Sequence, residues 1–136
     1  MMRLKTLLLI KKDFMFLQLS HTKLPIYSES QRLALECYRL TKQFPSDEKY
    51  AIVQQIRRAA LSVHLNIAEG SSRKSNAERK RFYEIARGSV IEIDAAIDIA
   101  FQLTYCDMEA LKLLGELIVS CFKQLSGIIA SSSKAA

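Results

Sequence analysis

Eight cations between residues 57 and 87 are the chemistry this sequence offers most clearly: Arg57, Arg58, Arg73, Lys74, Arg79, Lys80, Arg81 and Arg87. Three acids, Glu69, Glu78 and Glu84, share that interval, whereas from residue 88 onward Lys112, Lys123 and Lys134 face six acids. Such a patch suits an anionic partner, nucleic acid above all, because each phosphate neutralised by Lys or Arg releases condensed counterions. Arg73 and Lys74 fall in a turn ahead of a helix start, where backbone N–H groups also favour phosphate. Arg79, Lys80 and Arg81 extend the patch. Arg57 and Arg58 are adjacent and so point about 100° apart on a helix. One of them belongs to the basic surface, and the other is expected to pair with Glu69 or Glu92. Only Phe82 and Tyr83 lie near, and Phe82 reads as core, so base stacking is a minor expectation.

The residues that could support catalysis or bind metal are sparse. Asn66 and Glu69 sit beside an apolar seam, and they read as register-fixing hydrogen-bonding groups across the bundle or a subunit boundary. An unpaired buried polar group costs about 1 to 3 kcal/mol, which gives such residues a structural reason to exist. Asp94 and Asp98 share a helix face with Glu92 near by, but the chain has only two histidines, His21 and His64, and lacks the paired Glu-x-x-His motifs of helical metal sites. No phosphate-binding Walker loop, Gly-x-Ser-x-Gly elbow or His-Glu-x-x-His motif occurs. We therefore expect no catalytic residue, no metal and no cofactor. One enzyme class warrants weighing. Arg58 and His64 fall within the Arg-x4-6-His spacing of helical HEPN ribonucleases, yet they lie about 240° apart around a helix. Ala59 replaces the polar residue usual after that Arg, and His64 stands between Val63 and Leu65, so it reads as structural.

These residues must be carried by helices. Ile56, Ala60, Val63 and Ile67 recur at helical spacing as one apolar seam. Gln55, Ala59, Ser62, Asn66 and Glu69 follow one residue earlier as a small and polar stripe, expected to face a second protein surface as well as the core. This helix should begin at Ser46, with Asp47 and Glu48 in its first turn, and end near residue 69 with Gly70 as a left-handed stop. Ser75 and Glu78 form a capping box for the next helix, 76–104, with Phe82, Ile85, Ser89, Ile93, Ala96, Ala100 and Leu103 inward. A first helix is expected at 28–43, capped by Ser28 and Gln31, with Leu33, Cys37, Leu40 and Phe44 inward before Pro45 breaks it. Asp107 caps a fourth, whose seam is Leu111, Leu114, Ile118, Cys121, Leu125 and Ile128. Gly88 lies mid-helix at a cost of about 1 kcal/mol, which a close backbone contact with helix two or a neighbouring subunit, near Glu92, would offset.

Short connections between four long helices imply an all-α, antiparallel, up-down-up-down four-helix bundle. With 136 residues, four Gly, two Pro and no Trp, one domain over 26–130 accounts for the chain. Residues 1–25 read as an extension, and 131–136 as a tail that frays. The apolar runs at 7–10 and 14–19 are too short to span a bilayer. No membrane partner is expected. Three scattered cysteines, Cys37, Cys106 and Cys121, give neither a disulfide framework nor a zinc site and fit a reducing cytoplasm.

Several separated motifs appear in the order found in one family. Gln55-Ile56-Arg57-Arg58-Ala59-Ala60, Asn66-Ile67-Ala68-Glu69-Gly70, Arg73-Lys74-Ser75 and Ile85-Ala86-Arg87-Gly88-Ser89 with Glu92 resemble the bacterial proteins encoded in intervening sequences of 23S rRNA genes, once called S23 ribosomal proteins. Phe44-Pro45 and Glu48-Lys49-Tyr50 join the likeness, which covers roughly residues 27–129. One departure is Ser62-Val63-His64-Leu65, where the family usually has Ser-Ile-Pro-Ser. The resemblance implies a ring-like homopentamer of four-helix bundles with a basic surface and no known catalysis. It is also similar in fold to the accessory protein of diversity-generating retroelements, which binds nucleic acid and a reverse transcriptase. The functions this leaves are a nucleic-acid-binding assembly, with RNA the expected ligand, and a scaffold whose basic patch meets an acidic protein.

Overall fold

The computed structural model describes residues 16, 17 and 19–134. Among them are four α-helices and no strand: α1 (Pro25–Thr41), α2 (Ile52–Ser71), α3 (Asn76–Gln102) and α4 (Met108–Lys134). Short 3-10 turns lie at Ser20–Lys23 and Ser46–Glu48. Each helix packs on the next and α4 returns to α1, so the four enclose one core. Side-chain bonds between neighbours set the pairing. Rising numbers on one helix meet falling numbers on the next: Ser30 and Thr41 of α1 bond His64 and Arg57 of α2, while Ser62 and Ser71 of α2 bond Ser89 and Tyr83 of α3.

The expected seams of α1, α2 and α4 are inside. Leu33, Cys37, Leu40, Ile56, Ala60, Val63, Ile67, Leu114, Cys121 and Leu125 are almost wholly buried, and Leu111 and Ile128 are half-buried. The first half of α3 is rotated from the expected phase. Tyr83 and Ala86 point inward where Phe82 and Ile85 were expected, and Ile85 and Leu103 are exposed. The reason lies on α2. Gly70 has no side chain, Tyr83 occupies the space beside it, and the Tyr83 hydroxyl meets Ser71 Oγ at 2.8 Å.

Helix ends also differ from expectation. α1 starts at Pro25, whose missing N–H is one that a helix start leaves unpaired anyway. Ser28 is therefore inside the helix and donates to the Pro25 carbonyl at 3.0 Å instead of capping. Ser46, Asp47 and Glu48 form the 3-10 turn, and α2 begins only at Ile52. The Glu48 carboxylate links that connection to the end of α3, accepting from the Tyr105 hydroxyl at 2.9 Å. Both caps read at the starts of α3 and α4 are made: Glu78 N–H donates to Ser75 Oγ at 3.1 Å, and Ala110 N–H to Asp107 Oδ1 at 2.8 Å. α4 continues to Lys134.

The left-handed residue expected at Gly70 is found at Thr104 instead. Gly70 lies within α2, no glycine among the described residues has positive φ, and Thr104 has φ 63°. Thr104 N–H bonds the Phe101 carbonyl and Tyr105 N–H the Ala100 carbonyl, both at 2.9 Å, which is the glycine-type helix stop made by a β-branched residue. That conformation costs roughly 1 to 2 kcal/mol for a residue with Cβ. Thr104→Gly is therefore expected to stabilise the protein by about 1 kcal/mol, read as a higher midpoint in urea unfolding with an unchanged slope.

By length and composition, α4 from Met108 to Ser133 is apolar enough to cross a membrane, a property that core helices share. Here its apolarity goes two ways: Leu114, Leu117, Ile118, Cys121 and Leu125 fill the core, while Leu113, Val119 and Phe122 are 40 to 51% exposed. Burial raises the Cys37 and Cys121 thiols to about 12, so both behave as core residues.

Candidate nucleic-acid interface

The corner between α2 and α3 is built around a four-residue connection, 72–75. Ser72 and Arg73 N–H groups close the end of α2 on the Glu69 and Gly70 carbonyls at 3.2 and 3.1 Å. Gly70 allows the close approach: a Cβ there would meet Phe82 Cβ at 2.8 Å. The guanidinium of Arg73 lies over the Phe82 ring at 5.0 Å and pairs with Glu69, and that of Arg81 lies 6.0 Å from the same ring. Lys80 reaches Glu84 at 3.8 Å. The Lys74 side chain is exposed and makes no hydrogen bond or ion pair among the described residues.

The structure divides the eight cations. Arg73, Lys74, Arg79, Lys80 and Arg81 gather at the corner. Arg57 does not join them. Its Nε donates to Thr41 Oγ1 at 2.9 Å and its guanidinium covers the Tyr38 ring at 4.8 Å, so it ties α2 to α1 and pairs with neither Glu69 nor Glu92. Arg58 is exposed on the outer face of α2 with Leu61 and Leu65, thirteen residues and so about 20 Å along the helix from the corner. Arg87 reaches across to Ser126 of α4 at 3.3 Å. Sequence spacing could group these residues by proximity along the chain, but it could not say which way each long side chain turns.

The small stripe of α2 is divided between the interior and the surface. Ala59 is buried, Ser62 Oγ accepts from Ser89 Oγ of α3 at 2.8 Å, and Gln55 and Glu69 are exposed. Asn66 does not bridge the bundle. Its amide donates back to the Ser62 carbonyl and hydroxyl of its own helix, at 2.8 and 3.1 Å. Within the chain no helix packs on Gly88, since a Cβ there would meet nothing within 4 Å, and Glu92 is exposed. The close approach of α2 and α3 is made at Gly70.

His64 is half-buried, 2.7 Å from Ser30 Oγ through Nδ1, and packed against Tyr27 with ring centroids 4.6 Å apart and planes inclined at 47°. Tyr27 in turn packs on His21, the buried side chain of the Ser20–Lys23 turn, so the folded unit begins within the stretch read as an extension. Ser30 donates its own proton to the Tyr27 carbonyl at 3.0 Å, which leaves His64 Nδ1 as the donor in their bond. Arg57 is committed to Thr41 and the Tyr38 ring, and Arg58, six residues before His64, lies about 240° from it around the helix. Burial and the charge of His21 hold the His64 imidazole below its ordinary value. The neutral form is thus favoured by folding, and its contribution is complete above about pH 6.5 and lost as pH falls below that value. Urea unfolding is expected to show lower stability at pH 5 than at pH 8, with a smaller difference in His64→Gln.

A second surface was not anticipated. Between α3 and α4 an open groove of about 330 Å³ is lined by Ile91, Ile118, Val119 and Phe122, with Asp94 and Lys123 at its edges. Ile91 is 54% exposed, and Ile99 on the same side of α3 is 53% exposed. Their signal was present as apolar residues lying off the core seams. No group of His, Cys, Asp and Glu suited to a metal ion occurs among the described residues.

The profile of the 23S rRNA-intervening sequence protein family matches residues 22–127, an interval that contains all four helices except the end of α4. A crystal structure of a protein of unknown function from the S23 ribosomal protein family of Bacteroides thetaiotaomicron superposes with a TM-score of 0.69 at 20% sequence identity. It covers 76% of this chain and 97% of that one. No curated protein matches the chain. With the bundle, the ordered motifs along α2 and α3 and a profile match over most of its length, the chain belongs to the 23S rRNA-intervening sequence protein family.

Proposed function

We propose that this protein is a non-catalytic, homo-oligomeric nucleic-acid-binding module that takes RNA at the α2–α3 corner. The observation that carries the reading is the gathering of Arg73, Lys74, Lys80 and Arg81 at one corner, with the Lys74 ammonium uncommitted and the others held only by partly exposed i,i+4 pairs or ring contacts. Exposed pairs of that kind are worth well under 1 kcal/mol, so a phosphate displaces them readily. Binding of this type is weakly sequence-selective and strongly salt-dependent.

Assembly is supported by the apolar face of α3 and α4, and we assign its occupant as a second copy of this chain. That face carries three acids, Glu92, Asp94 and Asp98, and one cation, Lys123, beside Ile91, Val119 and Phe122, whereas the opposite face, on α1 and α2, exposes Arg32 and Arg58 beside Leu35, Leu61 and Leu65. Two unlike, complementary faces make a head-to-tail contact, which gives a ring where the rotation between successive copies closes and an open filament where it does not. A pentamer is the ring size that the family resemblance suggests, and it would repeat the basic corner around one rim.

The test is a salt titration with a single-stranded oligouridylate. Four corner cations give an expected loss of about 50-fold in affinity between 50 and 200 mM salt. Absence of binding at the lower salt would favour an acidic protein as the partner.

A further inference from the structure

We propose that Arg79, although it stands among the corner cations, contacts no phosphate and acts as a positioning residue that fixes the 72–75 connection for Arg73 and Lys74; this rests on the nucleic-acid reading of the corner. Three of the five N–H donors of its guanidinium are engaged within the chain. Nη1 donates to the Arg73 carbonyl at 2.7 Å and to the Lys74 carbonyl at 2.9 Å, and Nη2 bonds the Asn76 side-chain oxygen. Two consecutive carbonyls thus converge on one donor, and a third acceptor on the helix start completes the fork.

The geometry has a directional consequence. In a trans peptide the N–H points opposite to the carbonyl. Turning the Arg73 and Lys74 carbonyls toward Arg79 turns the Lys74 and Ser75 N–H groups away from it, to the outer side of the connection. Neither N–H is used in a backbone bond of the turn. Arg79 therefore determines which side of the connection is rich in acceptors and which in donors, and it does so without adding its own charge to the outer side. A lysine has one nitrogen at the end of a flexible stem and cannot hold three acceptors in a planar fork. Holding the turn before binding removes an ordering cost that the complex would otherwise bear.

Arg79→Lys separates this role from phosphate contact, because it keeps the charge and removes the fork. We expect Arg79→Lys and Arg79→Gln to weaken oligouridylate binding equally, about tenfold at 50 mM salt, with the salt slope unchanged and melting within a degree or two of the parent. Lys74→Gln, which removes a contacting cation, should instead reduce the slope by about 0.7. A second measurement does not involve RNA. Tryptic cleavage after Arg73 and Lys74 in the free, full-length protein should be at least tenfold faster in Arg79→Lys than in the parent. Parental affinity in Arg79→Lys, a slope reduced by Arg79→Gln as it is by Lys74→Gln, or unchanged cleavage at the turn would each overturn the assignment. If the parent binds no RNA, the nucleic-acid reading fails and the cleavage rates alone decide whether Arg79 holds the turn.

Discussion

Gly70→Val is expected to destabilise the protein by about 3 kcal/mol and to lower its melting temperature by roughly 10 °C. Gly70 is buried in the last turn of α2, and even a methyl group there would lie 2.8 Å from Phe82 Cβ, 3.3 Å from Tyr83 Cε1 and 3.4 Å from the Arg79 carbonyl oxygen. Phe82 Cβ and a backbone carbonyl are not loose ends that can swing aside, so α2 and α3 must part at the corner. The change should also disturb the Ser71–Tyr83 bond and the Arg73–Phe82 contact, and with them the placement of the basic residues. Gly88→Ala supplies the opposite sign. With nothing within 4 Å of the added methyl group, the gain in helix propensity acts alone and should stabilise the folded chain by roughly 1 kcal/mol. Chemical denaturation of the two variants under one set of conditions checks both. Equal effects would mean that the α2–α3 approach is set elsewhere than at Gly70.

Val119→Asp combined with Phe122→Asp should convert the assembly proposed through this face to single subunits while leaving the bundle folded. Val119 is 51% and Phe122 40% exposed, so neither is a core residue, and the new carboxylates are solvated in the separated chain. In a head-to-tail contact they would instead be desolvated beside Asp94, which already borders the groove. Loss of two interface anchors at about 2 kcal/mol each weakens association roughly a thousandfold. Sedimentation would report the mass change, and far-ultraviolet circular dichroism the intact helices. A parent protein that sediments as a single chain would remove the assembly proposal, and a variant that stays assembled would move the interface to another face. The same variant tests the link to RNA binding. If corners act together around a ring, affinity for long RNA should fall with assembly, whereas affinity for a short oligouridylate that spans one corner should not.

What the sequence determined by itself was whatever depends on residues within a turn or two of one another. The 3.6-residue recurrence of Ile56, Ala60, Val63 and Ile67 marked the buried side of α2, and Ser75 with Glu78 and Asp107 ahead of Ala110 marked two helix starts, because seams and caps are local geometry. Ambiguity arose where two local patterns competed. On α3 both Phe82 with Ile85 and Tyr83 with Ala86 make apolar pairs three residues apart, and only the vacancy beside Gly70 on another helix selects the second.

Tertiary structure alone decided the partners of the long polar side chains. Arg57 and Arg58 are adjacent in sequence, yet Thr41 and the Tyr38 ring take one and the outer face keeps the other. His64 finds Ser30 and Tyr27 more than thirty residues away. Arg79 turns back on the chain it follows. A long side chain spans several ångströms through many rotamers, so its position is fixed by whichever acceptor or ring the neighbouring element presents. That element's identity is set by how the whole chain packs, which no window of local sequence contains.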